Sequence, residues 1–119
     1  MDMKGYYKTS NGKVVELKQI DELFLPSKNI IELVIPNGCV DVYCFNNQLK
    51  ELIIPDGCEL IACNNNLLKE FIVSDKCDYI YCEGNQLKEL IIPNGCEEFY
   101  ADMKSITELN KVEDLNLWI

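Results

Sequence analysis

Three consecutive blocks of nineteen residues, each beginning with a cysteine, constrain the fold of this chain more than any other feature. They are CVDVYCFNNQLKELIIPDG from Cys39, CELIACNNNLLKEFIVSDK from Cys58 and CDYIYCEGNQLKELIIPNG from Cys77. Weaker copies lie on both sides, IDELFLPSKNI from Ile20 and CEEFYADMKSI from Cys96. A fixed period near twenty residues is typical of a solenoid, in which each repeat forms one coil that stacks on the coil before it.

The core shared by these blocks is C-x-x-[VIF]-x-C-x-x-N-x-L. It resembles the leucine-rich repeat signature L-x-x-L-x-L-x-x-N-x-L, with cysteine at two of the leucine positions. The resemblance covers residues 20–119 and implies a right-handed solenoid with a short parallel strand in the middle of each signature. The use of cysteine, asparagine and isoleucine is also similar to that of repeat proteins from AT-rich bacteria and large DNA viruses.

The resemblance implies that the cysteines are core residues, because Cys58 and Cys63 fall where the family buries leucine. The outer copies carry Ile20, Leu25 and Ala101 at the equivalent positions, and none of these side chains could replace a metal ligand. The cysteine count of seven is odd, and a reducing cytosol disfavours disulfides. We therefore expect buried, free thiols and no metal site.

The second half of each block favours a second short strand over a helix. LIIPDG from Leu52 combines β-branched residues with a Pro-Asp-Gly turn. We predict flattened coils that are similar to those of a parallel β-helix, with two short strands per coil and little or no helix. The resemblance places Asn47, Asn66 and Asn85 at the turn after the first strand, where a buried amide bonds to backbone groups of adjacent coils.

The repeats predict two parts within one domain. Residues 1–19 contain YYKTSNGKVVEL, which predicts a β-hairpin around Asn11-Gly12 that caps the front of the solenoid. Residues 20–119 then form about five to six coils, and the last coil includes VEDLNLWI from Val112.

Composition excludes several function classes. Twenty acidic residues against eleven basic ones give a formal charge of -9, which repels phosphate backbones and anionic lipids, so we expect neither nucleic-acid nor membrane partners. The chain has no apolar stretch typical of a signal peptide or membrane span, so we expect a soluble cytoplasmic protein, in the host cytoplasm if it is viral. Histidine is absent, and no phosphate-binding glycine loop is present, so we expect neither enzymatic activity nor a cofactor.

On the first strand of each coil, the residues between the buried positions project from one surface, which we call the inner face and which the resemblance implies is concave. Aromatic residues from Phe24 to Trp118 crowd this face, with carboxylates between them and Leu60 and Ala62 at the centre. Rings bury large areas at low entropic cost, so this composition favours binding of a basic or polar protein partner. The predicted contact residues are Tyr43, Phe45, Tyr79, Tyr81, Tyr100, Asp41, Glu83, Glu98 and Asp102.

Other hypotheses stay open beside this one. Aromatic residues have high strand propensity, so the rings could simply cover an exposed sheet. The second strands carry an outer stripe that is either a homodimer surface or a stiffening ladder, formed by Val34, Ile53, Ile72 and Ile91. A self-assembling structural solenoid is possible, as is a carbohydrate-active enzyme with Glu83 and Asp102 as paired carboxylates. We favour a non-enzymatic protein-interaction module.

Overall fold

The chain folds into a solenoid of stacked β-coils, as its period predicted. A computed structural model describes residues 5–18, 20–70, 73, 77–93 and 95–102, together with the backbone of 108–111. These residues form strands and turns without a helix, so none of them belongs to a helix able to cross a membrane. The strands are β1 (Gly5–Thr9), β2 (Val14–Leu17), β3 (Glu22–Phe24), β4 (Ile30–Val34), β5 (Asp41–Tyr43), β6 (Leu60–Ala62), β7 (Tyr79–Tyr81), β8 (Glu89–Ile92), β9 (Glu98–Tyr100) and β10 (Glu108–Lys111).

One parallel sheet runs through the described coils and contains five strands in the order β3-β5-β6-β7-β9. Its register follows the sequence period, so that Val42 pairs with Ile61 and Ile61 with Ile80. The chain therefore makes about four turns between the first strand and the last. The middle residue of every strand is buried, and these residues are Leu23, Val42, Ile61, Ile80 and Phe99. We call this sheet the inner sheet because its exposed surface is the inner face.

The core between the two sides of each coil contains all seven cysteines. They are buried and free, as the exchange of cysteine for Ile20, Leu25 and Ala101 predicted. They pack in one cluster with aliphatic residues such as Leu49 and Leu68. The thiols therefore act as small packing groups inside the solenoid.

The second strand of each coil is less regular than the first. Strand β4 belongs to a sheet with β1 and β2, and β8 pairs in parallel with β10. In the coil between β5 and β6, the second strand is reduced to a single bridge between Val34 and Ile53. Two short strands per coil are thus present at both ends of the described solenoid, and the coil at Ile53 has only the first. The right-handed winding of the solenoid stays a prediction. The final coil from Val112 and the place of Ile72 in the outer stripe also stay predictions, because these residues lie outside the described ones.

The N-terminal residues form an antiparallel hairpin from β1 and β2, with a turn at Gly12, where φ is 91°. Strand β1 also pairs with β4 in antiparallel register, for example Tyr7 with Leu33. The hairpin therefore covers the front edge of the second side of the coil, where a bare strand would expose unpaired backbone groups. Gly5 permits this approach, because a Cβ there would collide with the Val34 carbonyl oxygen and the Pro36 ring.

Candidate interaction surface

A ladder of asparagines, two of them buried and one half-buried, holds the turn that follows each inner strand. The Asn66 side-chain oxygen accepts a hydrogen bond from the Leu49 backbone N–H at 3.0 Å. Its amide nitrogen donates to the carbonyl oxygens of Cys44 at 3.1 Å and Cys63 at 3.0 Å. Asn47 and Asn85 repeat this arrangement in their own coils. The predicted ladder is thus present, and it joins each coil to the one before it by satisfying buried backbone groups.

The residue before each ladder asparagine has a left-handed backbone, which the repeat motif does not specify. The φ angles are 57° at Asn46, 58° at Asn65 and 74° at Gly84, and Ser27 has 55° at the equivalent position of the first coil. Asparagine and glycine adopt this conformation most readily, so the pairs Asn-Asn and Gly-Asn in the three blocks were the available signal. Gly84 has a further constraint, because a Cβ there would collide with the Asn65 side chain.

The structure brings the nine predicted contact residues onto one surface in three columns that run across the strands. The first column contains Glu22, Asp41, Leu60, Tyr79 and Glu98, and the second contains Phe24, Tyr43, Ala62, Tyr81 and Tyr100. The third follows the strand ends and contains Pro26, Phe45, Asn64, Glu83 and Asp102. Trp118 lies outside the described residues. Neighbouring parallel strands are about 4.8 Å apart, so the columns place side chains at that spacing.

The rings form two separate groups on this surface, one on each side of the Leu60 and Ala62 positions. At the front, Phe24 contacts Tyr43 at a centroid distance of 5.7 Å and Phe45 edge-on at 6.3 Å. Phe24 is 61% exposed, so this group offers apolar ring surface to solvent. We call Phe24, Tyr43 and Phe45 the phenylalanine half. The central strand β6 follows it and carries Leu60 and Ala62 in place of rings.

The second group, Tyr79, Tyr81 and Tyr100, is the tyrosine half. Tyr81 and Tyr100 stack at a centroid distance of 5.4 Å with an interplanar angle of 15°. The Tyr81 hydroxyl donates a hydrogen bond to Glu98 Oε1 at 2.8 Å. Burial and this bond raise the pKa of Tyr81 to about 12, and a hydrogen bond to Glu97 raises the pKa of Tyr79. Both phenols therefore remain neutral donors at physiological pH.

The segments that form this side of the described coils are acidic. The five segments 21–26, 40–45, 59–64, 78–83 and 97–102 contain no basic residue. They contain nine carboxylates, which are Asp21, Glu22, Asp41, Glu59, Asp78, Glu83, Glu97, Glu98 and Asp102. The remaining eleven acidic residues equal the eleven lysines in number, so the rest of the chain is neutral. Five of the nine were not among the predicted contact residues. Glu22 begins β3, and the other four precede the strands, namely Asp21, Glu59, Asp78 and Glu97.

Glu83 has an unusual environment within the tyrosine half. Its Oε1 atom is shielded from solvent and has no hydrogen-bond partner among the described residues. Asp102, one strand further along the same column, accepts a hydrogen bond from the Gly84 backbone N–H at 2.7 Å. A shielded carboxylate oxygen without a donor costs free energy, so this position favours a ligand that supplies one. The hypothesis that Glu83 and Asp102 act together on carbohydrate stays a prediction.

The buried thiols are poor candidates for chemistry at neutral pH. Burial raises the pKa of Cys39 to about 11 and the pKa values of Cys44 and Cys82 to about 12. The pKa of Cys77 is raised because its thiol donates a hydrogen bond to Cys58, and the same bond lowers the pKa of Cys58. A thiol reacts and binds metals as the thiolate, which the surroundings disfavour at Cys39, Cys44, Cys77 and Cys82, whereas Cys58 is the exception. Within the described part of the chain, no three histidine, cysteine or carboxylate side chains are arranged to hold a metal ion.

The outer stripe is uneven. Ile53 is 81% exposed, whereas Val34 and Ile91 are partly buried. The inward neighbours Leu33 and Leu52 are buried, as the alternation predicted.

Comparison with known proteins adds no relative. The chain matches no protein-family model, no curated protein and no solved structure. The leucine-rich repeat assignment therefore rests on the repeat motif and stays a prediction.

Proposed function

We propose that this protein is a non-enzymatic interaction module that binds a basic protein partner on the inner face. The observation that carries this proposal is the charge distribution, because the inner-face segments carry nine carboxylates and two ring groups but no lysine, while the rest of the sequence has equal numbers of acidic and basic residues. Carboxylates of one sign attract a partner of the opposite sign and steer its approach. Exposed rings then supply apolar area for contact.

The rigidity of the inner sheet supports this assignment. Binding groups are presented most accurately from regular elements whose geometry is locked by surrounding hydrogen bonds. Here the asparagine ladder locks the turn beside the columns of contact residues. We place the module in the cytoplasm, because seven free thiols suit a reducing compartment.

Selection from a random peptide library displayed on phage tests the proposal even though the natural partner is unidentified. We expect the protein to enrich peptides rich in lysine and arginine that also contain apolar residues. A variant with Tyr79→Ala and Tyr81→Ala should lose these peptides, because both rings face the solvent side of β7. Binding should also weaken as salt concentration rises, since the attraction is between exposed charges.

The matched control is Ile53→Ser, which removes an exposed apolar side chain from the opposite side of the solenoid. This variant should retain the selected peptides. Equal binding by the tyrosine variant and the parent protein would show that the inner face is not the binding surface.

Self-association through the outer stripe is a second candidate, and the 81% exposure of Ile53 favours it. Apolar side chains at symmetric positions commonly form homodimer interfaces. Light scattering should then give a dimer mass for the parent protein and a monomer mass for Ile53→Lys. An unchanged mass in this variant would contradict the candidate.

A further inference from the structure

The tyrosine half leaves ring surface exposed to a ligand, most of all at Tyr100. Tyr81 and Tyr100 are stacked nearly parallel. Tyr100 lies on β9, which is the final inner-sheet strand among the residues that the structure describes, and it is 46% exposed. The face of an aromatic ring attracts cations through its quadrupole, and planar cations also stack on it. The ring pair is therefore a surface on which a planar cation gains both electrostatic and dispersion energy.

Carboxylates lie on both sides of this ring pair. Glu98 precedes Tyr100 by two residues on β9, while Glu83 and Asp102 follow the two rings in the third column. Side chains two residues apart on a strand are separated by about 7 Å, so a cation above the rings would lie within reach of both sides. Glu98 Oε1 accepts a hydrogen bond from Tyr81, and Asp102 Oδ2 accepts one from the Gly84 backbone N–H. Glu83 Oε1 is shielded and lacks a donor among the described residues.

We propose that the tyrosine half is a binding site for an arginine side chain of the partner, with Tyr81 and Tyr100 as the stacking surface and Glu83 as the principal carboxylate. This inference rests on the proposed function and specifies its partner. A guanidinium group is planar, is weakly hydrated and carries five N–H donors, so it can stack on a ring and bond to a carboxylate at the same time. A lysine ammonium is compact and strongly hydrated, so it gains less from the same surface.

The phenylalanine half defines what must lie beside this arginine. Tyr43 and Tyr81 are two strands apart in the second column, which corresponds to about 10 Å. An extended chain covers that distance in about three residues. The partner segment should therefore carry an apolar or aromatic side chain about three residues from the arginine, where it packs against Phe24 and Phe45.

Titration of the isotope-labelled protein with N-acetylarginine amide, followed by NMR, tests this site directly. We expect the backbone NMR signals of Tyr81, Gly84 and Tyr100 to shift until they saturate as the arginine compound is added. The Glu83→Gln substitution should lower the affinity for this compound about tenfold. N-acetylcitrulline amide has the same shape without the charge and should cause no saturating shift. Nα-acetyllysine amide, which keeps its charged side-chain ammonium group, should bind severalfold more weakly than the arginine compound.

Two controls separate loss of the site from loss of the fold. Glu51→Gln, an exposed carboxylate on the opposite side, should leave the arginine affinity unchanged. Tyr100→Leu should retain the unfolding temperature and lose the arginine response. Equal responses to the arginine and lysine compounds, or shifts of the same size at Glu22 and Asp41, would show that the site is unselective and would overturn the inference.

The two proposals can fail separately. If selected peptides bind the inner face without arginine and tolerate Glu83→Gln, the arginine site is wrong and the interaction module stands. If no selected peptide depends on Tyr79 and Tyr81 and the arginine compound shifts no signal, both proposals are wrong.

Discussion

The two sides of each coil have the same period and different regularity. The inner sheet has five strands in continuous register, whereas the second side has only a single bridge at Ile53, to Val34. Strand propensity does not explain the difference, because the irregular segment LII from Leu52 is richer in β-branched residues than LIA from Leu60 in the inner sheet. The inner turns have side-chain amides that bond from coil to coil. The opposite turn has a local bond instead, from the Cys58 N–H to the Pro55 carbonyl at 3.4 Å.

At the coil of Ile53, hydrogen bonds between coils therefore account for the more regular side better than strand propensity does. The comparison also separates two roles within one repeat. The ladder asparagines hold the coils together, whereas the side chains in the three columns of the inner face can vary in charge and aromatic character.

High pH is the strongest way to break the inner sheet, because thiols lie at both ends of its strands. The folded pKa values of Cys44 and Cys82 are raised to about 12 from an ordinary value of 9.0. Their contribution to stability is therefore complete below pH 9 and is lost as pH rises toward 12, since the unfolded chain then releases protons that the folded chain retains. We expect circular dichroism to show complete unfolding by about pH 12.

The control is Cys82→Ala, which reproduces the residue found at Ala101 in the next coil. This variant should be less stable at neutral pH and should show a weaker pH dependence of unfolding free energy between about pH 9 and pH 12. Parallel pH profiles for variant and parent would contradict the thiol explanation.

Removal of one ladder amide should have the next largest effect. Asn66→Ala leaves the Leu49 N–H and the carbonyls of Cys44 and Cys63 without their side-chain partner. Because these groups are buried, we expect the free energy of unfolding in urea to fall by about 3 kcal/mol or more. The exposed amide of Gln86 provides the control, and Gln86→Ala should change stability by less than about 0.5 kcal/mol. Equal effects of the two substitutions would disprove the importance of the ladder.

Two glycines with left-handed backbones, Gly84 in an inner turn and Gly57 in the opposite turn, allow the two turns of a coil to be compared. Gly84→Ala adds a Cβ that meets the Asn65 side chain and also strains a φ of 74°. We expect thermal unfolding to show a loss of about 2–3 kcal/mol, against about 1 kcal/mol for Gly57→Ala, where the backbone is also left-handed and the space is open.

Gly84→Asn refines the same test, because Asn46 and Asn65 occupy the equivalent positions and are joined by a side-chain hydrogen bond of 3.0 Å. This variant should retain more stability than Gly84→Ala in thermal unfolding. A larger loss for asparagine than for alanine would show that the collision, and not the backbone conformation, dominates at this position.

The smallest expected effect concerns charge. Glu22 and Asp41 are direct neighbours in the parallel register of β3 and β5. Like charges at such positions destabilise a sheet, so Asp41→Asn should raise the free energy of unfolding by about 0.2–1 kcal/mol at low salt. The gain should disappear at high salt. Glu51→Gln on the charge-balanced side should bring no gain, and a similar gain there would contradict the charge asymmetry.

The solenoid, the buried thiols and the asparagine ladder could be predicted from the sequence because each depends on which residue recurs at a fixed spacing. The left-handed residues before Asn66 and Asn85 were missed because the motif describes the amide and leaves its neighbour unspecified. The division into two ring groups follows from Leu60 and Ala62 at the central column positions, whereas the contacts within each group, such as the stacking of Tyr81 on Tyr100, depend on side-chain rotamers, which periodicity does not determine. The reduction of the second strand to a single bridge at Ile53 was missed because a run of β-branched residues predicts a strand without regard to the hydrogen bonds between coils.

The central strand β6 carries Leu60 and Ala62 and separates the two ring groups, so the number of coils between the groups sets the distance between them. Because the coils share one length and register, duplication or deletion of one nineteen-residue block would move the two groups apart or together by about 4.8 Å without altering either. Evolution, or an engineer, could therefore adjust the spacing of features recognised in a partner by inserting whole coils, independently of the chemistry at each end.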